Sequence, residues 1–146
     1  MDRPVRSVAR LLFVSGACAL VFQTAWFREF RLVFGASTPA SAAVLAIFMG
    51  GLGLGNALLG KRADATTNPL RLYAQLELSI SLISAVSPLL VAVIRSIYLT
   101  AGGQETMGIW GATLARLVGS ALVLGLPTFL MGGTLPAAAK TMFRGL

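Results

Sequence analysis

Residues 39–60 read PASAAVLAIFMGGLGLGNALLG, 22 residues without a charged side chain. A helix that crosses a bilayer needs about 20 mostly apolar residues, so this stretch by itself predicts a transmembrane span. Working outward, three further runs qualify. The first covers 8–27, from Leu11 to Phe27 with an extension to Val8 if Arg10 snorkels. The next covers 72–94 and is interrupted only by Glu77, and the last covers 109–139, with Arg116 near its start. The expected fold is an all-α integral membrane protein, with residues 1–146 as one transmembrane domain of four helices. Residues 28–38 are amphipathic, with Phe30, Val33 and Phe34 at i, i+3, i+4 spacing opposite Arg28 and Arg31. They predict a short interfacial helix after the first span. Pro88, Pro127 and Pro136 each remove a backbone hydrogen bond and are the expected kinks.

Composition agrees. Of 146 residues, 56% are hydrophobic and 12% charged, with a mean hydropathy of +0.82. Soluble domains carry about 25% charged residues. The deficit excludes a disordered tail, a coiled coil and almost any water-soluble enzyme. The net charge of +7 does not point to a nucleic-acid partner, because the basic residues stand at the ends of apolar runs. There is no His and a single Cys18, so the chain offers no imidazole metal site and no intrachain disulfide. Arg3, Arg6 and Arg10 followed by Leu11–Ala19 also read as a signal peptide, with a cleavage-like Ala17-Cys18-Ala19. Continuation of the apolar run to Trp26 and Phe27 favours an uncleaved span.

With the N-terminus inside, one side of the membrane collects Arg3, Arg6, Arg10, Lys61, Arg62, Arg71, Lys140 and Arg144. The other side has Arg28, Arg31 and Arg95. The positive-inside rule then predicts that both termini are cytoplasmic.

Several residues invite a functional reading beside a plainer one. Gly50-Gly51-Leu52-Gly53-Leu54-Gly55 looks like a nucleotide-binding loop, but it lies inside an uncharged run rather than between a strand and a helix. Gly51 and Gly55 form a GxxxG pair and are expected to pack helices. Glu77 lies about two turns into the third span, and an ionisable group there is a functional hypothesis by default. Arg116 is a candidate partner, although the topology puts the two toward opposite sides. Asp64, in Gly60-Lys61-Arg62-Ala63-Asp64, would cap a neighbouring helix, pair with a base or be solvated. Gln23, Trp26, Arg28 and Glu29 cluster at the outer end of the first span, with Trp26 expected as an interfacial anchor. Thr128 and Thr134 are placed to satisfy backbone groups freed by Pro127 and Pro136. Glu77, Arg116, Asp64, Gln23, Trp26 and Arg28 are therefore the candidate substrate or proton positions, with no catalytic residue and no metal ligand expected.

Taken in order, several segments resemble one family. These are Ala19–Gln23 with Trp26 and Arg28, Val33-Phe34-Gly35, Val44-Leu45-Ala46, Phe48–Leu52, and Gly60 with Ala63-Asp64. Pro69-Leu70, Leu72-Tyr73-Ala74 and Leu76-Glu77-Leu78 follow, then Leu126-Pro127-Thr128, Leu130-Met131-Gly132 and Thr134-Leu135-Pro136. Residues 11–140 thereby resemble the N-terminal membrane region of bacterial fused major-facilitator-like/spermidine synthase proteins. The resemblance implies further spans and a cytoplasmic aminopropyltransferase-like domain that would bind decarboxylated S-adenosylmethionine and a polyamine. Neither a βα glycine loop nor an acid-rich pocket for such a domain occurs in these residues. The chain is thus expected either as a fragment of that architecture or as a free-standing module. The expected partners are the lipid bilayer, further membrane helices or a second copy, and a polyamine, in the bacterial inner membrane. The alternatives are a four-span proton-coupled cation transporter acting as a homo-oligomer, and a membrane scaffold packing through Gly51 and Gly55 against a partner.

Overall fold

The structure, a computed structural model, describes residues 3–34 and 38–144, with some helical side chains among them excepted. It is all-helical: α1 (Arg3–Phe34), α2 (Thr38–Ala65), α3 (Pro69–Thr100) and α4 (Gly103–Arg144). Each contains a segment long and apolar enough to cross a membrane, namely Arg6–Glu29, Ser41–Ala65, Pro69–Thr100 and Glu105–Phe143.

The expected separate interfacial helix is absent: residues 28–34 continue α1 without a break. The reason is local, since no Pro or Gly interrupts the segment before Gly35. Arg31 also folds back over the Phe27 ring one turn earlier, 5.9 Å from its centroid. The side chains of Phe30, Val33 and Phe34, on which the amphipathic reading rested, lie outside the described residues.

Between α2 and α3 the chain turns on Asn68, whose side-chain oxygen accepts from the Arg71 amide at 3.1 Å, with Pro69 in the first helical turn. Such a cap satisfies an amide that the helix cannot. α3 closes at Ala101–Gly102, where Gly102 adopts a positive φ of 81°.

α3 runs through Pro88, and α4 through Pro127 and Pro136. α4 also has non-helical backbone at Gly108, with φ 66° and ψ 177°. That region is open essentially to glycine alone and costs other residues about 1–3 kcal/mol. A Cβ at Gly108 would touch nothing within 4 Å, so the penalty is purely conformational. Gly108→Ala should therefore lower stability by about 1–3 kcal/mol, read as a shift in the thermal unfolding midpoint in detergent.

Facing residues define the topology. Ser15 meets Glu77 and Trp26 meets Ser87, so α1 and α3 run parallel. Gly51 faces Thr128, Gly60 faces Pro136 and Asp64 meets Lys140, so α2 and α4 also run parallel. The bundle is up-down-up-down. One apolar cluster (Val8, Ala63, Tyr73, Leu76, Ala137, Ala138) fills the end holding the start of α1. A second, around Trp26, Phe48, Ile80, Val91, Val123, Leu124 and Met131, fills the remainder.

α2 and α4 make the closest approach. A Cβ on Gly55 would overlap the Phe129 backbone, 2.7 Å from its carbonyl carbon, and one on Gly132 would lie 2.7 Å from the Asn56 amide nitrogen. Gly51 and Gly55 are thus covered by α4 of the same chain, not open to a partner. Of the four spans α1 is the least buried and α4 the most. Large apolar side chains such as Phe13, Leu20, Leu82, Leu89, Trp110 and Leu122 are exposed around the bundle. An exposed apolar surface of this extent is what lipid contact requires.

Candidate functional site

A cleft of about 600 Å³ opens between α1 and α3. Leu11, Val14, Ser15, Cys18, Ala19 and Phe22 form one wall. Leu70, Tyr73, Ala74, Glu77, Ile80, Ser81 and Ala85 form the other, and Met131 of α4 contributes at its base. The periodicity of both walls is helical: on α3 the lining recurs every three or four residues, which keeps it on one face. Glu77 is the one acidic side chain, and no basic one is present, among the described residues of the lining. Its Oε1 accepts a hydrogen bond from the Ser15 hydroxyl at 2.6 Å, the short distance typical of a hydroxyl on a carboxylate. Tyr73, one turn earlier on α3, faces the same pair. Cys18 is exposed on the α1 wall.

On α4, which contributes Met131 to the cleft, the Arg116 main chain stands fifteen residues before Met131, about 22 Å along a helix rising 1.5 Å per residue. The Arg116 side chain lies outside the described residues.

The outer cluster also divides. Trp26 is buried at 4% exposure and stacks on Phe22, with centroids 5.4 Å apart. It is therefore a core residue and not an interfacial anchor. Gln23 is half-buried, while Arg28 and Glu29 are exposed. The Trp26 indole N–H donates to Ser87 Oγ at 2.9 Å, and Ser87 Oγ donates to the Ser84 carbonyl at 2.8 Å. That carbonyl is the one Pro88, four residues later, leaves without an amide donor. α1 is thus hydrogen-bonded into the backbone gap that a proline opens in α3. A serine directly before a proline in an apolar run was the available signal for this arrangement, because its hydroxyl can fold back onto the preceding turn. Ser84 Oγ is buried without a hydrogen-bond partner.

The analogous expectation for α4 is corrected. Thr128 donates to the Leu124 and Gly125 carbonyls and Thr134 to the Met131 carbonyl. The carbonyls deprived of donors by Pro127 and Pro136 are those of Val123 and Gly132. The threonines instead bond one turn back from their own positions, as helical hydroxyls do.

Asp64, at the end of α2, approaches Lys140 on α4: Lys140 Nζ lies 3.6 Å from its carboxylate and also donates to its main-chain carbonyl. The Asp64 side chain is 82% exposed, so the pair contributes little. Asp64→Asn should change stability by less than about 1 kcal/mol in detergent unfolding, with any difference reduced further by added salt.

Comparison with protein families, with curated proteins and with solved structures finds no match for this chain. The described residues therefore define an all-helical bundle with four helices long and apolar enough to span a membrane. Its most distinctive site is a carboxylate held in an apolar cleft.

Proposed function

We propose that this chain is the membrane-embedded region of a spermidine synthase-like protein. It anchors a cytoplasmic aminopropyltransferase domain, and Glu77 in the α1–α3 cleft holds an ammonium group of an organic cation. Polyamines and related amines are the class the family resemblance implies. The observation that carries the cation reading is Glu77 itself, fixed by Ser15 at 2.6 Å in a cleft whose other described lining residues are neither acidic nor basic. A carboxylate in such surroundings is costly to keep ionised without a counter-charge, and an incoming ammonium supplies one.

The inner-membrane orientation with both termini cytoplasmic is supported by the charge distribution. Arg6, Arg10, Lys61, Arg62, Arg71 and Lys140 all belong to the end of the bundle that holds the start of α1, and Arg28, Arg31 and Arg95 to the other. The excess of positive charge belongs on the cytoplasmic side.

Two measurements test the proposal. An antibody against residues 61–71 should detect, in native membranes, a band well above the 15.2 kDa of this chain. A band at that mass would remove the anchoring role. Glu77→Gln in nanodiscs should weaken retention of an amine ligand about tenfold or more, as expected for loss of a charge-assisted hydrogen bond. Unchanged retention would remove the cation site.

A further inference from the structure

The cleft's own chemistry narrows the ligand within the amine class, given the reading above that Glu77 receives a cation. On α3 the lining runs from Leu70 to Ala85, about 22 Å at 1.5 Å per residue. Glu77 stands near its middle. On the side toward Ala85 the walls are Ile80, Ser81, Ala19 and Phe22, with no second acid among the described residues. Toward Leu70 the walls are Leu11, Val14, Tyr73 and Ala74, again without a second acid among the described residues. On either side of Glu77 a second ammonium would therefore meet a wall without a counter-charge, where an unpaired charge is strongly penalised.

We infer that the cleft binds an amphiphile with a single ammonium head on Glu77 and an aliphatic tail along Ile80 and Phe22, entering sideways from the lipid. The lateral opening suits this route, since α1 is the least buried helix and Phe13, Val14, Leu20 and Val21 on it are exposed. Lipid chains are as apolar as the cleft wall, so moving the tail out of the bilayer contributes little. Selectivity comes from the head: the ammonium exchanges its interfacial surroundings for a charge-assisted bond to a carboxylate already oriented by Ser15.

Cys18 provides a local reporter, being the one cysteine of the chain and exposed on the cleft wall. In nanodiscs, decylammonium should slow N-ethylmaleimide modification of Cys18 about tenfold. Decanol at the same mole fraction in the lipid should not, and neither should spermidine. Glu77→Gln should abolish the protection by decylammonium. Equal protection by decanol would overturn the inference, since it would reduce the site to an apolar slot. Equal protection by spermidine would overturn the single-charge assignment while leaving Glu77 a cation site. Protection that survives Glu77→Gln, or no protection of the wild type by any probe, would overturn both. The comparison of head groups on the wild-type chain does not depend on the variant folding.

Discussion

Replacing Gly55 by Leu should destabilise the bundle by about 3 kcal/mol, the upper end of the range for forcing extra volume into a packed interior. The obstruction is main chain: a Cβ at this position would overlap the Phe129 carbonyl group and lie 3.1 Å from its Cα. A side chain could turn away from a bulky substituent, but the α4 backbone can yield only by moving the helix. That movement would also lift Gly132 from Leu52 and Asn56, because the contact is reciprocal. Gly53 is the internal control. It sits on the same helix two residues earlier, where a Cβ would meet nothing within 4 Å. Gly53→Leu should be neutral or slightly stabilising, since leucine has the better helix propensity. The opposite signs should appear in unfolding midpoints measured in one detergent. Equal effects of the two substitutions would contradict close packing of α2 on α4.

The second large effect is expected at Trp26. Truncation to Ala removes a buried aromatic that packs on Phe22 and belongs to the main apolar cluster. Such truncations cost about 3–5 kcal/mol. Trp26→Phe separates the hydrogen bond from most of the packing. Combined with Ser87→Ala in a double-mutant cycle, it should give a coupling of about 0.6–1.7 kcal/mol, the range observed for hydrogen bonds between membrane helices. Zero coupling would mean that the indole and the Ser87 hydroxyl do not interact. Because α1 is otherwise little buried, these variants should loosen α1 in preference to the α2–α4 pair. Faster modification of Cys18 on α1 would report that directly.

Much of the architecture was legible from hydropathy. Four apolar runs became four helices, and the one expected from 39 to 60 lies wholly within α2. The expected start of the last span, Ile109, directly follows the break at Gly108. The threonines beside Pro127 and Pro136 were a poor guide because a proline seen in sequence announces only a lost donor. Which side chain meets the freed carbonyl is not announced, and at Pro88 it is the neighbouring Ser87 hydroxyl. The interfacial helix failed for a related reason: an amphipathic pattern says which face prefers lipid, but not whether the chain turns before it.

The site was half visible. Glu77 stood out in sequence because a charge in an apolar run is unfavourable wherever the helix points. Ser15 and Tyr73 did not stand out, since serine and tyrosine in a membrane helix are unremarkable until a carboxylate is found opposite them. Trp26 was read as an anchor because tryptophan near a helix end favours the interface on average, whereas here the facing helix offers an acceptor at Ser87.

By itself, then, the sequence determined the helical class, the number of apolar helices and the excess of basic residues at one end. Each of these depends on residue type and spacing along a single helix. The tertiary structure decided which helices pair, that Gly51 and Gly55 are covered by α4, and that Ser15 faces the Glu77 carboxylate. These depend on how each helix is rotated about its axis and set in height against its neighbours. Those two quantities come from the packing of all four helices together.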